Sequence, residues 1–183
     1  LTRVASSHIR IGTFQYAAIQ NNKKLLKTLL DYSIERHYPN LKEKSNLAIE
    51  LLKHVIEKQI NLVTHWMRVG FIHGVMNTDN MTISGETIDY GPCAFMDIYD
   101  PETVFSSIDH QGRYAYFNQP GIAKWNLSRF AESLLPLIDN DKNKAISIAT
   151  DVVNRFDYMY ENSWLKMMKG KLGLIGEEKE DEK

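Results

Sequence analysis

The sequence predicts one mainly helical domain of the α+β class, with one small β-hairpin. Several long stretches carry apolar residues at helical spacing, whereas residues 81–88 suggest two very short strands around a turn at Ser84 and Gly85. The composition, 43% hydrophobic and 25% charged over 183 residues, is typical of a single globular domain with a sizeable core. No internal repeat and no change in composition marks a domain boundary.

The first predicted helix covers residues 14–36. Thr13 is the expected N-cap, because a Thr hydroxyl can accept a hydrogen bond from a free backbone N–H of the first turn. Pro39 ends the helix, since the residue before a proline avoids the helical conformation. Leucines form its apolar face, opposite a group of lysines: Leu25, Leu26, Leu29 and Leu30.

The second predicted helix covers residues 45–69 and belongs in the core, with Gly70 as its C-cap. Two histidines lie on it, His54 and His65. Because they do not form a His-x-x-x-His motif, we predict packed or solvated side chains rather than a metal pair. The apolar stripe of this helix is broad: Leu47, Leu51, Leu52, Val55, Ile56, Ile60, Leu62, Val63, Trp66 and Met67.

Residues 92–124 follow the hairpin and show only weak periodicity. Their aromatic side chains, set between prolines and glycines, favour an ordered and packed loop. Asn126 is the expected N-cap of a helix over residues 127–135, which ends near Pro136. Its inward-facing side chains are predicted to be Phe130, Leu134 and Leu135.

A last long helix is predicted over residues 141–169. Beyond it the helix is disfavoured by three glycines, Gly170, Gly173 and Gly176. Residues 177–183 form a charged tail that we expect to be solvated and mobile. The predicted buried face of the helix comprises Ile146, Ala149, Val153, Phe156, Tyr160 and Trp164.

Composition excludes several classes of protein. A net charge of −1 argues against a dedicated nucleic-acid binder. The single cysteine, Cys93, excludes an internal disulfide framework and a cysteine-rich zinc site, and we expect a small core residue rather than a nucleophile. No apolar run approaches the roughly 20 residues that span a bilayer, and charged residues interrupt any signal peptide. Leu1 in place of Met indicates a fragment or a processed chain.

The chemistry-bearing residues concentrate in residues 73–91, which begin with His73 and Gly74. Asp79 and Asn80 come next, and Asp89 follows the hairpin that would bring it close to Asn80. An amide oxygen beside a carboxylate suits Mg²⁺, whose other ligands are often waters and substrate phosphates. The alternative is a hairpin turn without a functional role, since Asp and Asn also favour turns.

Protein kinases use a similar spacing: His-Arg-Asp, four residues, Asn, then Asp-Phe-Gly. Counted from His73, the kinase Asn falls on Asn80, but the kinase catalytic Asp falls on Val75. The nearest carboxylate is instead Asp79, so the pattern indicates a kinase-like site whose base has moved. The helices around it then correspond to a protein-kinase-like C-lobe.

Two arginines precede this centre. Arg3 and Arg10 lie among small polar residues and could face one anion, because a guanidinium presents a planar fork of donors to phosphate oxygens. The alternative is a solvated segment with two surface arginines.

Several motifs in one order closely resemble the selenoprotein O family (SelO, YdiU in bacteria), with a likeness from residue 2 to about 172. The motifs are residues 3–14 (RVASSHIRIGTF), 70–81 (GFIHGVMNTDNM), 89–92 (DYGP), 95–97 (FMD), 116–120 (YFNQP) and 125–127 (WNL). The resemblance implies a protein-kinase-like fold that transfers AMP from ATP to Ser, Thr or Tyr hydroxyls of proteins.

The resemblance also implies roles for individual residues. Asp79 matches the family's proposed general base, and Asn80 and Asp89 match its ligands to Mg²⁺, for which Mn²⁺ is an alternative. Arg3 and Arg10 match its contacts to the nucleotide phosphates. The partners implied are ATP and protein substrates, with no nucleic acid and no membrane. The compartment implied is cytoplasmic in bacteria and mitochondrial in eukaryotic members.

Family members are far longer than this chain. We therefore expect residues 1–176 to be a C-lobe that lacks its N-lobe and C-terminal extension, and to bind ATP weakly and catalyse little alone. Two other functions stay open. A conventional phosphotransferase also uses His-Gly and an Asn…Asp pair, although Val75 speaks against it. A non-catalytic, pseudokinase-like interaction module is favoured by the truncation and opposed by the intact Asp79, Asn80 and Asp89.

Overall fold

The computed structural model describes residues 4–174. Within them the chain is mainly helical, with one small antiparallel sheet, which confirms the predicted class. The strands are β1 (Phe71–Ile72) and β2 (Ala94–Phe95), paired Phe71 to Phe95 and Ile72 to Ala94. The helices are α1 (Ile11–Ile19), α2 (Lys23–His37), α3 (Leu47–Val69), α4 (Gln119–Ile138), α5 (Lys142–Asn154) and α6 (Phe156–Leu172).

Helices α3 and α4 form the centre of the core. α3 packs against α4 and α6, and α4 packs against α1 and α5. The rings of Phe14 in α1 and Phe130 in α4 meet edge to face, with centroids 5.0 Å apart, and both side chains are fully buried. A single core therefore joins the N-terminal helices to the C-terminal ones.

The predicted helix over residues 14–36 is two helices. The backbone of Asn21 is left-handed (φ 52°), which breaks the helix, and the side chain of Asn22 accepts the Leu25 N–H (3.1 Å) to cap α2. Thr13 is not an N-cap, because α1 begins at Ile11 and Thr13 lies inside its first turn. The end of α2 at His37, just before Tyr38 and Pro39, was predicted correctly.

The core helix is confirmed almost residue for residue. α3 begins at Leu47, where the side chain of Asn46 accepts the Ile49 N–H (3.2 Å). It ends at Gly70, whose left-handed backbone (φ 69°) and close approach to Met96 leave no room for a side chain. His65 is exposed and His54 bonds the backbone of its own helix.

The predicted helix over residues 127–135 is longer at both ends. α4 starts at Gln119, with Pro120 in its first turn, where a missing N–H costs nothing. Asn126 is therefore not an N-cap: it lies inside the helix and is fully buried. Pro136 also lies within α4, close to its end.

The predicted helix over residues 141–169 is divided at Arg155 into α5 and α6. Asp141 caps α5 as the start of the prediction implied, since its carboxylate accepts the N–H groups of Asn143 and Lys144. Ile146 and Trp164 are not buried, with exposed fractions of 41% and 39%. α6 continues through Gly170 to Leu172, and the predicted tail over residues 177–183 lies outside the described residues.

Residues 92–118 are an ordered connection rather than a helix. They contain β2 and a 3-10 turn at Tyr116–Asn118, and Cys93 is partly buried against the core, as expected. Among residues 4–174, no helix is both long and apolar enough to cross a membrane.

Candidate active site

The predicted hairpin is present as an antiparallel bridge between Met81 and Thr87. α3 holds it from behind. Gln59 donates from Nε2 to the Thr82 carbonyl (2.6 Å), and Trp66 donates from Nε1 to the hydroxyl of Thr87 (2.9 Å). Gly85 makes the turn with φ 71°, and a Cβ there would lie 2.6 Å from a side-chain carbon of Lys58. The hairpin is thus fixed to the core helix along both arms.

Residues 9–11 pair with the same hairpin from the other side. The Ile11 N–H donates to the Met81 carbonyl (2.9 Å), and the Ile83 N–H donates to the Ile9 carbonyl (3.0 Å). Arg10 therefore forms a bridge with Thr82, and its Nε is buried without a hydrogen-bond partner in the described part of the chain. Arg3, the other predicted phosphate contact, lies outside the described residues.

His73 connects the loop before the hairpin to Ile88, the residue after Thr87. The ring is fully buried, and its Nε2 lies 2.8 Å from the Ile88 carbonyl, so Nε2 carries the proton and donates. Nδ1 then accepts the Val75 N–H (3.3 Å). Burial lowers the pKa of the imidazole, which keeps it in the neutral form that these two hydrogen bonds require.

Asn80 is oriented by the same network. Its Nδ2 donates to the Val75 carbonyl (2.8 Å), and its side chain is nearly buried. Since the amide nitrogen is used in this way, the amide oxygen is directed away from the Val75 carbonyl. A continuous chain of hydrogen bonds thus runs from Asn80 through the backbone of Val75 and the ring of His73 to Ile88, the residue before Asp89.

Asp79 lies in a 3-10 turn at Thr78–Asn80 and is exposed to solvent. Its backbone N–H donates to the side chain of Asn77 (3.1 Å). The carboxylate lies directly against Gly12 in the first turn of α1, where an added Cβ would be 2.0 Å from Oδ1. An alanine at position 12 would therefore force the Asp79 carboxylate out of this position.

Asp89 is exposed and adopts a left-handed backbone conformation (φ 60°). Its carbonyl accepts the N–H of Gly91 (2.8 Å) in a tight turn. Such a conformation is unfavourable for most residues and is tolerated best by Asn and Asp. Strained backbone of this kind concentrates at functional sites, where the surrounding structure holds it.

The donor set suits Mg²⁺ better than a zinc-type metal. No group of three or more His, Cys, Asp or Glu side chains that could enclose a metal occurs within residues 4–174. Asn80 and Asp89 instead offer an amide oxygen and a carboxylate. Two hard oxygen ligands leave most of the octahedral shell of Mg²⁺ to waters and substrate phosphates, the usual arrangement for this ion.

Three positions near the site carried no functional assignment from sequence: Gly12, Gln119 and Asn126, the last of which was predicted only as an N-cap. Gly12 gave no signal, because the predicted helix began after it, at residue 14, whereas α1 begins at Ile11. Gln119 and Asn126 reach the loop from α4 through bonds to its backbone, which leave no pattern in the loop sequence.

Comparisons with known proteins identify the family of this chain. A family model described as "Protein adenylyltransferase SelO" matches residues 1–183. A protein nucleotidyltransferase YdiU from Pelagibacter ubique is 64% identical over 181 residues, 99% of this chain and 38% of the relative. YdiU proteins from Anoxybacillus flavithermus (64% identical, 100% of this chain, 38% of the relative) and Nitrosococcus oceani (61%, 99% and 37%) are similar to the same extent. The chain spans about 38% of the length of these curated relatives.

Proposed function

The chain belongs to the SelO family of protein adenylyltransferases, and from that membership we propose that it carries the C-lobe half of a kinase-like site that transfers AMP from ATP to protein hydroxyls. One observation supports this proposal above the others. The hairpin that separates Asn80 from Asp89 is closed by a bridge between Met81 and Thr87 and pairs with Arg10 at Thr82, and the Asn80 amide next to Asp79 is held by Val75.

Asp79 is the proposed general base. Its carboxylate is exposed to solvent and lies against Gly12. The acceptor oxygen would attack the α-phosphorus as its proton passes to Asp79, while the bond to the bridging oxygen breaks and pyrophosphate leaves.

Asn80 and Asp89 are the proposed ligands of Mg²⁺. When bound, the ion would offset negative charge on the phosphate oxygens. The protein's contribution is the orientation of the ligands: the Asn80 amide is held by Val75, and the backbone turn at Asp89 follows directly from the residue that His73 holds.

Arg10 is the proposed phosphate contact. A guanidinium nitrogen that is shielded from solvent and makes no hydrogen bond is unfavourable, and a phosphate oxygen would provide the missing acceptor. The pairing of residues 9–11 with the hairpin sets Arg10 opposite Thr82, two residues after Asn80. We extend the same role to Arg3, as the family resemblance implies.

The second candidate is a conventional phosphotransferase that moves the γ-phosphate. Val75 is the position that bears on this candidate function. Its peptide N–H and carbonyl bind the side chains of His73 and Asn80. Where a kinase has its catalytic carboxylate, this chain has the apolar side chain of Val75, which cannot accept a proton. This residue speaks against the usual kinase mechanism.

The test is a labelling experiment on a full-length chimera, in which this chain replaces the matching segment of the Pelagibacter ubique relative. The chimera is incubated with Mg²⁺, a protein acceptor and ATP labelled at either the α- or the γ-phosphate. Asp79→Ala and Asp89→Ala are the site variants, and Asp151→Ala, an exposed aspartate on α5, is the matched control.

We expect label from the α-phosphate only, retained in Asp151→Ala and lost in both site variants. Label from the γ-phosphate would make the protein an ordinary kinase with an unusual base. No label from either position would favour an interaction module. The 183-residue chain alone is a further arm, and we expect it to transfer little or no label.

A further inference from the structure

Gln119, the first residue of α4, holds the start of the loop that carries Asp79 and Asn80. Its side chain is fully buried, and both ends of its amide are used. Oε1 accepts the His73 N–H (3.0 Å), and Nε2 donates to the Phe71 carbonyl (2.9 Å). The carbonyl of one strand residue and the N–H two residues later point to the same edge, so this side chain pairs with β1 as a neighbouring strand would.

Asn126 holds the middle of the same loop. It lies about two turns further along α4, on the face that carries Gln119, and it too is fully buried. Its Nδ2 donates to the Met76 carbonyl (2.8 Å), while its Oδ1 is buried with no partner in the described structure. An apolar side chain would leave no such orphan acceptor, so the value of an amide here lies in the bonds of its Nδ2, to the Met76 carbonyl and to the sulfur of Met81 (2.6 Å).

We propose that Gln119 and Asn126 are positioning residues, which fix residues 73–76 from α4 so that Asp79 and Asn80 face the reacting phosphates. Their catalytic meaning rests on the function proposed above. Neither side chain is placed to contact substrate. Each acts through backbone groups of the loop, and helix α4 is the rigid support.

The hydrogen bonds show how the two amides would act. Val75 lies between His73, which Gln119 holds, and Met76, which Asn126 holds. The Val75 carbonyl orients the amide of Asn80, and its N–H orients His73. A shift of the loop at either anchor therefore moves Val75, and with it both the Asn80 ligand and the link from His73 towards Asp89.

The experiment uses Gln119→Met and Asn126→Leu, which keep the size of the side chain and remove its hydrogen bonds. Ser133→Ala is the matched control, because Ser133 is a buried polar residue of the same helix that bonds only within α4. Leu134→Ala is a second control that destabilises the core without removing any hydrogen bond to the loop.

Two quantities are measured on the 183-residue chain by NMR, well below the unfolding temperature of every variant. The first is amide hydrogen exchange at His73 and Asn80, compared with amides in the middle of α3. The second is the affinity for Mn²⁺ alone, from paramagnetic broadening of the Asn80 and Asp89 signals. Both readouts are independent of AMP transfer.

We expect exchange at His73 to accelerate selectively in Gln119→Met, and exchange at Asn80 to accelerate selectively in Asn126→Leu. Loss of such supporting partners lowers metal affinity by about 10- to 100-fold in other metal sites, and we expect an effect of that size for Mn²⁺. Ser133→Ala and Leu134→Ala should leave the Mn²⁺ affinity unchanged, even though Leu134→Ala lowers overall stability.

Unchanged loop exchange in both amide variants would overturn the proposal. So would loss of Mn²⁺ affinity in Leu134→Ala equal to that in Gln119→Met, because the effect would then be one of stability alone. If the wild-type chain binds no Mn²⁺ and the chimera transfers no AMP, the proposed function fails, while the exchange data still decide whether the two amides hold the loop.

Discussion

Two consecutive parts of the chain are held in opposite ways. The site segment, residues 73–89, is anchored by buried side chains from outside it: Gln59 and Trp66 from α3, and Gln119 and Asn126 from α4. Several of its own polar residues are buried as well. Its geometry is therefore imposed by the helical core.

The connecting segment, residues 92–118, is held largely by its own turns. Asp109 accepts the N–H groups of Arg113 and Tyr114, and the Asn118 side chain donates to the Gly112 carbonyl. Its main anchors to the core are the pairing of β2 with β1 and the hydroxyl of Tyr116, which donates to the Met67 carbonyl. Large apolar side chains on it are exposed: Phe95, Ile98, Tyr99, Ile108 and Phe117.

Because the two segments are held differently, substitutions in them should have different effects. A change in the site segment or its anchors should alter site geometry, because side chains of the core hold the segment at several points. A change on the connecting segment should act locally. The predictions below test that difference, from the largest expected effect to the smallest.

Gly12→Ala should have the largest effect on activity. The new Cβ would lie 2.0 Å from the Asp79 carboxylate, which must move away. Misplacing a catalytic group by about 1 Å can cost on the order of 100-fold in rate, and we expect a loss of that size in AMP transfer by the chimera. Stability should change little, because Asp79 is exposed and alanine favours the helix.

The chain offers a matched control for this substitution. Gly121 also lies in the first turn of a helix, and an added Cβ there would meet no atom within 4 Å. Gly121→Ala should therefore leave transfer unchanged. Equal activity of the Gly12→Ala and wild-type chimeras would show that the contact with Gly12 does not position Asp79.

The strongest periodic signals in the sequence predicted the mainly helical class and the core helix correctly. α3 has a long apolar stripe and a glycine that must be left-handed, and both ends were located closely. The helix break at Arg155 was missed because apolar residues continue at helical spacing on both sides of it, and the break at Asn21 was missed although residues 20–24 are all polar. The start of α4 was missed because Pro120 and Gly121 suggested a loop, although a proline is compatible with the first turn of a helix.

The site was predictable to the extent that its residues are close in sequence. Asp79, Asn80 and Asp89 flank one hairpin, whose closure by the bridge between Met81 and Thr87 spacing alone could suggest; that the three side chains act together stays a prediction. Gln119 and Asn126 lie 46 and 50 residues from the loop groups that they bind. Their partners are backbone atoms, which every residue has, so no pairing of residue types could indicate the contact.

Asp109→Ala should loosen the connecting segment and leave the site segment unchanged. The substitution removes the acceptor for two backbone N–H groups, and we expect the free energy of unfolding to fall by about 1–3 kcal/mol. Hydrogen exchange should accelerate between Thr103 and Phe117 but not at His73. Faster exchange at His73 would show that the two segments are coupled.

Acidification should weaken the site segment through His73. Burial lowers the pKa of its imidazole below the ordinary 6.5, so the unfolded chain binds the proton more readily than the native protein. The contribution of neutral His73 to the free energy of unfolding is complete above about pH 6.5. It declines as the pH falls, by up to about 1.4 kcal/mol per pH unit. The imidazolium form could not accept the Val75 N–H, which makes protonation incompatible with the loop.

Urea unfolding at pH 7 and pH 5.5 measures this effect, and we expect a loss of about 1 kcal/mol between them. In His73→Gln the difference between the two pH values should shrink, because the amide does not titrate. Burial also lowers the pKa of His37, so His37→Gln is measured in parallel. An unchanged pH difference in His73→Gln would exclude His73 as its source.

Ile98→Ser should have the smallest effect on stability. The side chain of Ile98 is 84% exposed, and substitutions at such positions usually change stability by less than about 0.5 kcal/mol. A loss above 1 kcal/mol would mean that the connecting segment packs more tightly than its contacts show.

The same variant in the chimera tests whether this apolar surface contacts the acceptor protein. Reduced transfer to a protein acceptor, with transfer to a small hydroxyl compound unchanged, would place a contact for the acceptor protein on the connecting segment, beside a site whose own geometry is intact.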